Sequence, residues 1–114
     1  MKRVLILAAS AAFVFVAGSA SAQDAKVEKG KAVYTATPTC KMCHSIAGVG
    51  NKNNPLDEVG SKLTPAQIKE WLTDPVGMAA KMKSTGKPPM KLSKPLPAED
   101  VDALVAYLST LKKK

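Results

Sequence analysis

The chain has 114 residues, a formal net charge of +8, 46% hydrophobic residues and only 4% aromatic ones. That length holds one domain at most; the composition is too apolar for a disordered tail and excludes collagen-like and mucin-like chains. Two cysteines are too few for a disulfide scaffold, and so few rings leave a small domain short of core material.

Residues 1–22 read as a secretory signal peptide. Lys2 and Arg3 form a basic start, Val4 to Val16 an apolar run, and Ala20-Ser21-Ala22 an A-x-A cleavage signal before Gln23. The run is shorter than the roughly 20 apolar residues of a spanning helix, so a leader cleaved after Ala22 is expected rather than a permanent anchor. No cysteine follows the small residues, which excludes acylation of the lipoprotein type. The expected product is residues 23–114, exported to a bacterial periplasm without a stable membrane anchor. Losing Lys2 and Arg3 lowers the charge by two, to +6, and Phe13 and Phe15 leave as well. The remaining rings are Tyr34, Trp71, Tyr107 and the imidazole of His44. A core that thin calls for a staple, a metal or a cofactor.

The first helix is expected from Asp24 to about Thr35, with Val27 and Tyr34 a heptad apart and Gly30 on roughly the same face. A glycine inside a helix costs about 1 kcal/mol relative to alanine, so Gly30 should have a packing reason.

Next comes Cys40-Lys41-Met42-Cys43-His44, the C-x-x-C-H attachment motif of c-type haem. Two thiols at this spacing reach the two vinyl groups on one porphyrin edge and form thioethers. The adjacent His44 is then carried under the iron as proximal ligand. These are the only cysteines and the only histidine in the chain. A thioredoxin-like redox pair would need a βαβ setting, and a structural zinc site would need four protein ligands. A disulfide across so short a loop contributes little and leaves His44 unexplained. Covalent maturation of this kind takes place outside the bacterial cytoplasm, which agrees with the leader.

Residues 45–62 show no periodicity. Thr64-Pro65-Ala66-Gln67 then matches a capping box with proline at the first helical position, and Leu63 and Ile68 occupy the two staple positions. Ile68, Trp71 and Leu72 form the expected buried stripe, and Asp74-Pro75 ends the helix.

Residues 76–96 are again irregular, and long irregular stretches in a small domain are usually functional. This one contains the candidates for a sixth iron ligand. Met42 lies inside the attachment motif, on the proximal side. Met78 and Met82 have helical spacing, more suited to apolar packing. Met90 follows Pro88-Pro89, whose fixed φ angles suit a rigid loop presenting a thioether. Met90 is the expected distal ligand, with Met82 and Met78 as alternatives. Lys81, Lys83, Lys87, Lys91 and Lys94 crowd the same stretch, with no acid among residues 76–98. Such a rim would steer encounter with acidic redox partners.

The last helix is expected from about Pro97 to Leu111, its stripe formed by Val101, Leu104, Val105, Leu108 and Leu111. Glu99 and Asp100 at its start and Lys112 to Lys114 at its end complement the macrodipole. No strand pattern stands out, so the fold class is all-α.

With these residues in place, the sequence resembles the small class I bacterial cytochromes c over nearly all of the exported chain. The resemblance implies three or more helices wrapped around one covalent haem c. Lys29-Gly30-Lys31-Ala32-Val33-Tyr34 is similar to the family's first helix, whose glycine crosses a C-terminal aromatic, here Tyr107. Asn54-Pro55-Leu56 is similar to its proximal loop, which implies that the Pro55 carbonyl accepts a hydrogen bond from His44. Trp71 matches a position often close to a haem propionate. Pro89-Met90 and the segment Leu104 to Leu108 resemble the distal loop and final helix, although Lys91 stands where proline is frequent.

A His44/Met90 iron has both axial positions filled, which leaves one-electron transfer rather than substrate chemistry. Glu99, Asp100 and Asp102 form no acid–base constellation, so no enzymatic activity is expected. The expectation is a soluble, monomeric periplasmic electron carrier. The alternatives are a haem subunit through which electrons enter a larger redox complex and a haem-based ligand sensor. Nucleic acid is no partner: the exported chain has no arginine and few stacking rings.

Overall fold

The computed structural model describes residues 18–85, 89–92 and 94–114. The apolar run of residues 4–16, together with Lys87 and Pro88, lies outside them. Among the described residues, no helix is long and apolar enough to cross a membrane.

Helix α1 spans Gly18–Ala36, so it starts earlier than the expected Asp24 and runs through the expected cleavage site at Ala22. Helix α6, Ala98–Ser109, closes the chain and makes its most extensive helix contact with α1. Gly30 is where the two meet: a Cβ there would lie 2.0 Å from the Ala103 carbonyl oxygen and 2.7 Å from Tyr107 Cβ. Only a hydrogen in place of a side chain permits that approach, which is the packing reason the sequence called for. Tyr34, one turn further on, is buried and holds its ring 6.4 Å from that of Tyr107 at 57°. Offset, tilted pairs of this kind are favoured by the ring quadrupoles.

The apolar stripe of α6 is wider than periodicity alone suggests. Val101, Leu104 and Leu108 are buried as expected, but so are Ala103 and Ala106. Ala103 lies where Gly30 of α1 comes close, while Leu104 and Leu108 join a buried cluster that includes Tyr34. Leu104 is 1% exposed, and burial of such a side chain contributes about 2–3 kcal/mol. Lys112 to Lys114 do not directly follow the helix as expected, since α6 ends at Ser109 rather than near Leu111. The chain beyond is instead held by a short helix α3, Val59–Lys62. The Gly60 N–H donates to the Leu111 carbonyl at 2.7 Å, and the Lys113 N–H to Ser61 Oγ at 2.7 Å.

Helix α4, Pro65–Thr73, starts with the full capping box. The Gln67 N–H donates to Thr64 Oγ1 at 3.2 Å, and the Thr64 N–H to Gln67 Oε1 at 2.9 Å. Ile68 and Leu72 are buried, and Leu63 packs against the same core. Trp71 departs from the expected stripe, since it is only half-buried. Asp74-Pro75 does end α4, yet the same pair opens a further helix, α5, Pro75–Lys81. Asp74 Oδ1 accepts from the Gly77 N–H at 3.1 Å, so an acidic cap followed by proline is a start signal as well as a stop. Residues 76–96 are therefore not irregular throughout.

Nor are residues 45–62. They hold α3 and a two-stranded antiparallel hairpin of β1, Ser45–Ile46, and β2, Val49–Gly50. Strands of two residues are too short to show an alternating pattern. The remaining element, α2, spans Pro38–Cys43. The fold is all-α apart from this small hairpin.

Candidate functional site

Helix α2 carries the attachment motif. Pro38 at its first position presets φ, and the helix stops at His44, whose extended backbone (φ −128°, ψ 158°) leads into β1. Cys40 and Cys43 sit three residues apart, the separation at which side chains share a helix face. Both thiols are free. Cys40 is half-buried against the core and Cys43 is exposed. Burial, with the neighbouring Cys43 thiol as a smaller cause, pushes the Cys40 thiol above its ordinary pKa.

His44 has one ring nitrogen occupied: Nδ1 lies 3.1 Å from the Asn54 carbonyl oxygen. A carbonyl can only accept, so Nδ1 carries the proton and Nε2 bears the lone pair. Burial lowers the pKa of this imidazole, opposed in part by the Asn54 carbonyl, and so favours the neutral form that ligates metals.

The hairpin sets this contact. Its two-residue turn, Ala47-Gly48, has φ of 51° and 79°, the positive pair that a tight hairpin of right-handed twist requires. Ala47 is not a residue that adopts this region freely, and its N–H is held by Asp57 Oδ1 at 2.7 Å. Gly50 lies so close to the motif that a Cβ would stand 2.2 Å from the His44 carbonyl oxygen, and its φ is +111°. Buried Ser45 then pairs with Pro55 in a parallel bridge, and the Leu56 N–H donates to the Ser45 carbonyl at 2.8 Å. With Pro55 opposite Ser45, the residue opposite His44 is Asn54. The expected acceptor was Pro55; the acceptor in the structure is its neighbour, displaced by this register.

Met42, Met78, Met82 and Met90 occupy different environments. Met42 is 69% exposed and Met82 48% exposed, whereas Met78 is 2% exposed. Met90 is half-buried and packs against the core, as do Cys40 and Leu56. Met78, though enclosed, is not part of that central cluster. Trp71 lies on α4 and is half-buried.

Around the distal segment, Lys83, Lys91 and Lys94 are exposed. Lys81 differs from the expectation of a free basic rim, because its Nζ is paired with Glu70 of α4. Glu99 and Asp100 pair with Lys29 of α1 at 3.0 and 3.7 Å, and Asp102 pairs with Lys69 at 3.4 Å. Those acids tie helices together at the surface, where such pairs contribute little.

One residue of the site was missed by sequence reasoning. Asn51 touches three residues of the motif through its backbone and side chain. The run Asn51-Lys52-Asn53-Asn54 before Pro55 was its only signal, a turn signature without a stated target.

The family model described as Cytochrome c matches residues 27–112. No curated protein and no solved structure matches the chain.

Proposed function

The chain belongs to the cytochrome c family, proteins of electron transfer with covalent haem c, and on that premise we propose that it is a diffusible periplasmic one-electron carrier with His44 and Met90 as axial ligands. The observation that carries this reading is the His44 side chain, whose Nδ1–H is committed to Asn54 while Nε2 keeps its lone pair. The residues present suit the group: two unpaired thiols on one short helix, an imidazole held through Nδ1 beside them, and a half-buried thioether on a segment that reaches the core. Bound haem would supply an iron that cycles between ferric and ferrous states.

The chain's own residues do the rest. Cys40 and Cys43 would anchor the porphyrin edge, and His44 would be held in one tautomer and orientation by Asn54. Met90 is favoured as distal ligand because Met42 is on the motif itself, Met82 is about half exposed, and Met90, unlike Met78, packs against the central cluster, as Cys40 does. Its thioether raises the reduction potential relative to a second nitrogen ligand. The apolar cluster of Ile68, Leu72, Leu104 and Leu108 limits water near the site and disfavours the extra ferric charge.

Lys83, Lys91 and Lys94, with Lys87 between them in sequence, supply a basic face for acidic partner proteins. The leader of residues 1–22 supports export, and nothing in the reading requires an anchor once it is removed.

A haem spectrum of the exported protein tests the assignment. Haem that stays with the polypeptide after acid–organic extraction, together with the ferric methionine–iron charge-transfer band, is the expected result. Extractable haem, or a ferrous form that binds carbon monoxide readily at neutral pH, overturns it.

A further inference from the structure

Asn51, just after β2, touches both halves of the attachment site. Its backbone N–H donates to the Lys41 and His44 carbonyls, each at 3.0 Å, and its Nδ2 donates to the Met42 carbonyl at 3.0 Å. Carbonyls at a helix C-terminus have no intrahelical partner, and Asn51 takes up two of those of α2, Lys41 and Met42, together with that of the capping residue His44. Its Oδ1 accepts from the Asn53 N–H at 3.0 Å, the local bond of an Asx turn. That turn delivers the next residue, Asn54, whose carbonyl receives the His44 Nδ1–H. One side-chain amide therefore joins the helix carrying the thiols to the carbonyl that holds the imidazole.

We propose that Asn51 is a positioning residue for the proximal ligand: it sets how closely Asn54 O approaches His44 Nδ1, and through it the donor strength of Nε2 toward the haem iron. The inference rests on His44 being that ligand. A firm bond from Nδ1–H leaves more electron density on Nε2, which favours the ferric state and lowers the potential. Loosening the Asn53-Asn54 turn reverses this.

The experiment uses the haem-loaded protein with Asn51→Ala and Asn51→Asp, reading the reduction potential and the deuterium exchange of the His44 Nδ1–H by NMR. Asn51→Ala removes both side-chain arms, and the expected result is a more positive potential with exchange about tenfold faster. Asn51→Asp keeps the acceptor for Asn53 and loses the donor to Met42. Its exchange should stay within about twofold of the parent, while its added charge makes potential a poor readout for that variant.

Parent values of both readouts in Asn51→Ala overturn the inference, even if the variant melts earlier, because Asn51 is then merely structural. Fast exchange in Asn51→Asp overturns it too, and answers alone if Asn51→Ala does not mature. The parent's hyperfine-shifted imidazole resonances separate the two levels. If they are absent, the ligation reading itself fails; if they are present and Asn51→Ala moves nothing, only the role of Asn51 does.

Discussion

Gly30 of α1 lies against Ala103 of α6 so closely that a Cβ on the glycine would stand 2.0 Å from the Ala103 carbonyl oxygen. The obstacle is backbone, not the far end of a flexible side chain, so it cannot swing aside. Helices α1 and α6 are therefore locked at one crossing point, and Tyr34 and Tyr107 pack beside it.

Gly30→Ala should separate the helices and destabilise the fold by about 3 kcal/mol, at the upper end of overpacking costs. Denaturant unfolding of the haem-loaded protein measures it. An unchanged midpoint would mean that α1 can slide on α6, contrary to the observed contact.

Thr64→Ala removes one arm of the capping box that starts α4. A loss of about 1 kcal/mol is expected, with no change in the haem spectrum, because the cap lies on the scaffold and not among the site residues. A spectral change on this substitution would show that α4 positions the site more directly than its contacts suggest.

The three methionines beyond the attachment motif should separate cleanly. Met90→Ala is expected to keep haem attached, abolish the methionine–iron band and lower the potential. Met78→Ala should retain the band yet destabilise the fold by about 3 kcal/mol, as truncation of a fully buried side chain does. Met82→Ala, at an exposed site, should stay within about 0.5 kcal/mol of the parent. A band that survives Met90→Ala and vanishes in Met78→Ala reassigns the distal ligand.

Electron exchange with an acidic redox partner should slow as salt rises, since the screening length shrinks from about 30 Å at 0.01 M to about 8 Å at 0.15 M. Replacing Lys83 and Lys91 by glutamine should flatten that dependence in stopped-flow measurements. Lys81→Gln should matter less, because Glu70 already offsets its charge. Equal effects of Lys81 and Lys83 would argue against a basic face centred on the distal segment.

Elements with a strong local signature were legible in the sequence. The start of α4 follows from Thr64, Pro65 and Gln67 alone, since a cap satisfies backbone groups within one turn. The leucine stripe of α6 follows from its period. Helix α5 was hidden because Asp74-Pro75 reads equally as the end of one helix and the start of another. The hairpin was hidden because its strands are two residues each, below the length at which alternation can be seen. The charge of Lys81 looked free because Glu70 lies eleven residues away, beyond any local rule.

What the sequence determined by itself is the chemistry: Cys40, Cys43 and His44 form a motif of fixed spacing, and covalent bonds depend on neighbours in the chain. The tertiary structure decided which groups surround that motif. The Ser45–Pro55 bridge put Asn54, not Pro55, opposite the imidazole, and Asn51 reached back to three carbonyls of the motif. Spacing along the chain prescribes what a residue can react with, but a hydrogen bond across a turn depends on register, and register is settled only when the strands pair.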